Sequence, residues 1–118
     1  MALKITYTDP ESKLVITDSY HKVTGMLDSR IEKRMQIHVS LYKDADEKAN
    51  GNYIRFKGSQ FAKINCSGDD YDTYFGITAL NANNPIEQAY TFLKTQDPTI
   101  EDYKGDCAFN YKKDSTDI

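Results

Sequence analysis

Apolar and polar side chains alternate along most of the chain before residue 80, which is the signature of strands half-buried in a sheet. Leu3, Ile5 and Tyr7 share one face of such a strand, with Lys4 and Thr6 on the other. Thr8-Asp9-Pro10-Glu11-Ser12 reads as a turn, because proline fixes φ and an aspartate side chain bonds nearby backbone. Lys13 to Thr17 returns as a second strand, Asp18-Ser19 is placed to break or bulge it, and Tyr20 to Met26 continues extended. Asp28-Ser29-Arg30 makes the next polar turn. Lys33 to Tyr42 is the clearest strand: Met35, Ile37, Val39 and Leu41 alternate with Gln36, His38, Ser40 and Tyr42. One face is apolar and the other polar, as in an antiparallel sheet wet on one side.

Asp44 with Glu47 three residues on reads as a short helix start, and Gly51 as its left-handed end. Tyr53 to Lys57 and Gln60 to Cys66 follow as strand segments, interrupted at Gly58-Ser59. Ser67 to Asp70 reads as a loop, and the aromatic run Tyr71 to Ile77 as a further strand.

At Asn84 the period changes. Asn84-Pro85-Ile86-Glu87 combines an N-cap, a proline at the first helical position and a reciprocal glutamate. Ile86, Ala89, Tyr90 and Leu93 then recur at helical spacing and predict one apolar face. The helix runs to about Thr95 and stops before Pro98. Thr99 to Tyr103 has room for one further helical turn, and the polar end predicts fraying.

The fold class that follows is α+β: a mainly antiparallel sheet of about five to seven strands, with one helix in the C-terminal half packed on it. The chain has 118 residues, which fits a single domain over 1–111 and a flexible tail over 112–118. Nine Tyr and five Phe against no Trp reinforce the β reading, and place several rings in the core.

The formal charge is −3 and the sequence pI about 5.3, with Lys and Arg spread among acids; this argues against nucleic acid as a main partner. No apolar run approaches the ~20 residues of a membrane span, and the first ten residues lack a signal-peptide core. Cys66 and Cys107 stand far apart and in no CxxC spacing. They read as two thiols, with a disulfide between them left open.

Candidate chemistry is sparse. Asp69, Asp70 and Asp72 form the densest acidic cluster but lack the alternating ligands and distant glutamate of a calcium loop. His21 and His38 are the only imidazoles, and no nucleophile elbow, phosphate loop or HExxH accompanies them. Neither a catalytic residue, a cofactor nor a metal is expected. Tyr42, Tyr53, Tyr71, Tyr74, Phe75, Tyr103 and Tyr111 remain as candidate interface residues, since tyrosine joins an apolar body to a polar tip.

Three stretches carry a resemblance: Asp18-Ser19-Tyr20-His21-Lys22-Val23, then Val39 to Asp44 running on to Asn50-Gly51, then Ile86 to Lys94. Their order and spacing resemble small proteins encoded among the virion-structure genes of tailed bacteriophages and prophages. That pattern places a YKD motif before a glycine and ends on a QAY-FLK helix. The likeness covers roughly residues 18 to 107; the N-terminal hairpin, the Tyr-rich C-terminus and the segment Gly58 to Ala82 depart from it. The resemblance implies a non-enzymatic virion part in tail, neck or head, made in the bacterial cytoplasm. It implies other virion proteins as partners, and several copies in a symmetric assembly. A small binding module, for a host-surface glycan or a protein, is the alternative expectation.

Overall fold

The computed structural model describes residues 2–8, 13–54, 61–96 and 111–118. In chain order the elements are β1 (Leu3–Thr8), β2 (Val15–Ser29), β3 (Arg34–Tyr42), α1 (Ala45–Ala49), β4 (Tyr53–Ile54), β5 (Ala62–Ser67), α2 (Asp69–Phe75), α3 (Ile77–Ala82), α4 (Pro85–Leu93), α5 (Tyr111–Asp114) and β6 (Thr116–Asp117). The six strands form one sheet in the order β4-β3-β2-β1-β6, with β5 also paired to β3, and every pairing is antiparallel. The class is α+β, with more helices than the one expected.

Strand β3 is central. Met35, Ile37, Val39 and Leu41 are all buried, as their alternation requires, and meet Val23 from β2 and Ala62, Ile64 and Cys66 from β5 in the core. The helices bring Tyr71, Phe75, Ala89, Tyr90, Phe92, Leu93 and Tyr111 to the same cluster.

Strand β2 is one long strand that crosses faces twice. Opposite β1, Ile5 pairs with Ser19 but Tyr7 with Ile16, so Thr17 and Asp18 oppose a single residue, Thr6. Asp18 takes a positive φ of 48°, and its N–H donates to Thr6 Oγ1 at 3.0 Å. This is the bulge expected at Asp18-Ser19. Opposite β3, Val23 pairs with Val39 but Gly25 with His38, which leaves Thr24 as a second extra residue. Because side chains alternate with period two, each bulge reverses which positions face inward. Ser19, His21 and Val23 are therefore buried, while Met26, two bulges along from Ile16, returns to the core side.

The short helix forms as read. Asp44 Oδ1 accepts from the Glu47 N–H at 2.9 Å, and Gly51 has a φ of 77°. Glu47 reaches forward to Asn52 Nδ2 at 3.0 Å. At α4, Asn84 Oδ1 accepts from the Glu87 N–H at 2.8 Å, with Pro85 at the first helical position.

Five expectations are corrected. The run expected as a strand over Tyr71 to Ile77 is instead helix to Phe75, an extended Gly76 and the start of α3 at Ile77. Helix α2 puts Asp69, Asp70 and Asp72 in its first turn, where acids suit the helix dipole, and buries Tyr71 and Phe75 one turn apart. Ile86 leaves the apolar face of α4 and is 54% exposed; Phe92 and Gln88 are buried there alongside Ala89, Tyr90 and Leu93. The strand Leu3 to Tyr7, which from sequence could serve as an edge strand open to a neighbouring chain, is covered at Leu3 and Lys4 by β6. Residues 112–118, expected as a loose tail, complete α5 and supply β6. The turn expected at Asp28-Ser29-Arg30 falls later, at residues 30–33, because Asp28 and Ser29 still pair with Met35 and Arg34. The segments expected at Lys13 to Thr17 and Tyr20 to Met26, with the bulge between them, form β2 as read. The Gly58-Ser59 interruption and the turn at Thr99 to Tyr103 lie outside the described residues.

Candidate interaction surface

The only imidazole–hydroxyl constellation among the described residues is internal. Ser19, His21 and Tyr111 are each 1% exposed or less. The Ser19 hydroxyl donates to the Ile5 carbonyl at 2.7 Å, so its oxygen accepts from His21 Nε2, also at 2.7 Å. Nδ1 is then the unprotonated nitrogen, and accepts from the Tyr111 hydroxyl at 2.6 Å. The Tyr111 ring stands edge-on to the imidazole, with centroids 5.6 Å apart.

Burial drives the His21 pKa from its ordinary 6.5 to about 3, which keeps the ring neutral as this arrangement requires. The direction of the bonds is the reverse of nucleophile activation, in which the imidazole accepts the serine proton. The triad ties α5, β1 and β2 together inside the protein. The first bulge, at Asp18, is what turns Ser19 and His21 inward.

A second polar knot locks α2 to the far end of β2. The Tyr71 hydroxyl donates to Asp28 Oδ1 at 2.7 Å, and Arg30 Nε lies 3.1 Å from Asp28 Oδ2. Burial and the Asp28 carboxylate push the Tyr71 phenol up to about 12. Arg30 also covers the Tyr71 ring, 5.6 Å from its centroid. A cleft of about 360 Å³ opens beside it, lined by Arg30, Lys33, Asp72 and Gly76 among others. Lys33 meets Asp72 at 3.3 Å and Arg30 meets Asp28, so each charge of this cleft has an opposite partner.

The exposed features are aromatic and apolar. Register places Tyr53, Tyr42, Tyr20 and Lys4 directly opposite one another across β4, β3, β2 and β1, with Thr116 of β6 beyond. Directly paired residues share a face. Leu41, His21 and Leu3, the neighbouring row, face the core, so this row stands on the opposite face of the sheet. Tyr20 and Tyr42 meet edge-to-face at 6.2 Å; both are half-buried, and Tyr53 is exposed. On the same face His38 stacks on Phe61 at 4.3 Å and bonds Gln36 Oε1 at 2.8 Å. Burial and the Lys63 ammonium lower the His38 pKa.

A separate trough runs between the second bulge and the start of α4. Val23, Thr24, Gly25, Met26, Pro85 and Ile86 line two contiguous hollows of about 200 and 510 Å³.

Of the seven candidate interface residues, the structure keeps Tyr42 and Tyr53 at the surface and brings them side by side. Tyr71, Phe75 and Tyr111 are core residues, so their assignment to a contact surface is corrected: helices α2 and α5 turn them inward. Tyr74 is half-buried and packs edge-on against Phe92 at 5.4 Å. Tyr103 lies outside the described residues. Sequence reasoning missed Tyr20 and the Met26–Ile86 trough. The alternation of Tyr20 with His21 and Val23 carried the signal for the first; nothing local marks the second, because its two walls are sixty residues apart in sequence.

Asp69, Asp70 and Asp72 are arrayed on the first turn of α2, and no group of three potential metal ligands occurs among the described residues. No described helix is long and apolar enough to cross a membrane. No protein-family model matches this chain, and neither a curated protein nor a solved structure matches it.

Proposed function

We propose that this chain is a non-catalytic assembly component that docks onto larger proteins through its surface rings and apolar trough. The carrying observation is the row Tyr20–Tyr42–Tyr53, set on the sheet face that turns away from the helix-covered core. Tyrosine in such a row offers broad contact area at a low entropic cost and a hydroxyl for the wet rim. The trough at Met26 and Ile86 supplies a largely apolar hollow of the kind that anchors a partner side chain. The resemblance of residues 18 to 107 to phage virion proteins supplies the setting. In that setting the chain is made in a bacterial cytoplasm and carried in the particle of a tailed phage in several copies, with other virion proteins as partners.

The test is mass spectrometry of purified particles, followed by incorporation of Tyr42→Ala, Tyr53→Ala and Ile86→Asp variants. Presence of the wild-type chain and loss of the variants supports the reading; absence from particles overturns it. A second reading, a binding module for glycans, is favoured by the same row, since flat rings with hydroxyls also suit a sugar face. Glycan binding that survives without any virion partner and fails in Tyr42→Ala distinguishes it.

A further inference from the structure

The C-terminal segment 111–118 sits on the rest of the fold like a separate ligand. It buries one side chain, Tyr111, and its other residues are exposed or half-buried. Its attachments form a short series. The Tyr111 hydroxyl bonds His21, and the Lys112 N–H donates to the Gln96 carbonyl at 3.0 Å. Thr116 and Asp117 pair with Lys4 and Leu3, and the Ile118 N–H donates to the Ala2 carbonyl at 3.0 Å. Lys94 meets Asp117 at 3.4 Å on the surface. An aromatic anchor, one helical turn and a two-residue strand make the pattern of a peptide added to a sheet edge.

We infer that the β1 edge and the Tyr111 slot accept residues 111–118 of a second copy in place of the chain's own. The receptor is the β1 backbone at Ala2 to Lys4 with the His21 imidazole behind it, and its occupant is defined by the segment already seated there. Every one of these contacts forms identically between chains as within one, so exchange alters no contact in the slot. What opposes it is the tether that keeps the chain's own segment beside its slot. Dilute copies do not compete with a tethered segment, and copies held at high local concentration do. This inference rests on the assembly reading and specifies how copies would link: each chain contributes a strand to its neighbour and closes its own edge with another's.

The register makes the exchange testable. Lys4 and Thr116 are direct cross-strand partners, and such pairs lie about 4.5–5.5 Å apart at Cα, within the span of a disulfide. Full-length chains carrying Lys4→Cys and Thr116→Cys separately, each with Cys107→Ser to remove a competing thiol, are mixed at high concentration and oxidised. Exchange yields a mixed disulfide dimer on a non-reducing gel, several-fold above a control pair of Asp46→Cys with Thr116→Cys; Asp46 lies on α1, beside β3. An excess of free peptide with the sequence of residues 111–118 suppresses this dimer, and a scrambled peptide does not. A dimer yield equal to the control overturns the inference, as does a dimer that the peptide fails to suppress. Such a failure in a chain that is still found in purified particles removes the exchange alone and leaves the assembly reading standing.

Discussion

Arg30 Nη1 donates to the Phe75 carbonyl at 2.9 Å, joining the β2–β3 hairpin to the last turn of a helix 45 residues further on. Helix ends leave carbonyls without intrahelical partners, and a guanidinium there meets both the hydrogen-bond need and the dipole. Gln88 Nε2 does the same for the Tyr74 carbonyl at 2.9 Å. The C-terminal end of α2 is thereby fastened from two directions, by the β2–β3 turn and by α4.

Replacing Arg30 with alanine removes this bond, the contact over Tyr71 and the pairing with Asp28. The Arg30 side chain is about half exposed, so the expected loss is at the low end for a charged bond, about 1 kcal/mol. Urea melts of Arg30→Ala and Arg30→Lys measure it. A lysine that restores full stability would show that charge alone, without the fork geometry, is sufficient.

Gly76 joins α2 to α3 where a Cβ would collide with the Asp72 carbonyl oxygen. The obstacle is backbone and not a movable side chain tip. Gly76→Ala is expected to destabilise by about 1–3 kcal/mol, the ordinary range for overpacking. The measurement is the denaturant midpoint, and an unchanged midpoint would refute the close approach.

Tyr111→Phe keeps the ring in its slot and removes the hydroxyl that bonds His21. The expected cost is about 1 kcal/mol, and Tyr111→Ala should cost about 3–5 kcal/mol by emptying the slot. Amide hydrogen exchange gives a local readout: faster exchange of β1 and β6 amides in both variants, with α4 unaffected.

His21 gives the fold a pH dependence of definite sign. Its pKa is about 3 when folded and 6.5 as an ordinary side chain. Above pH 6.5 both states hold it neutral and stability is full. Between pH 6.5 and 3 the unfolded chain takes up a proton that the folded chain does not, so stability falls as pH falls. The slope from this one group approaches about 1.4 kcal/mol per pH unit. Melts of wild type and His21→Gln between pH 6.5 and 5, above most carboxylate titration, should differ by this slope. Parallel curves would mean that the imidazole titrates normally.

At α4, Asn84→Ala should cost about 1 kcal/mol through loss of the cap and Leu93→Ala about 2–5 kcal/mol through a core cavity. Ile86→Ala, at an exposed position, should stay within about 0.5 kcal/mol. Denaturant melts rank the three, and a large Ile86 effect would place that side chain in the core after all.

Several features of this protein were determined by local sequence. The alternation from Met35 to Leu41 dictated a strand with one apolar face, and the two capped helix starts at Asp44 and Asn84 formed with the bonds their side chains permit. These are short-range effects, complete within a few residues. Tertiary structure decided what short-range pattern leaves ambiguous. The run from Tyr71 to Phe75 offers aromatic residues suited to a strand and an i, i+4 pair suited to a helix; packing against β3, β5 and α4 settled it as helix. In β2, two bulges reversed the inward face, so no single period in the sequence could show that Ser19 and His21 lie inside. Ile86 kept its helical spacing yet fell outside the contact, because the face a helix buries is chosen by the surface it meets. The row Tyr20–Tyr42–Tyr53 and the bond from Tyr111 to His21 exist only through strand register and chain return, each spanning separations that local sequence cannot encode.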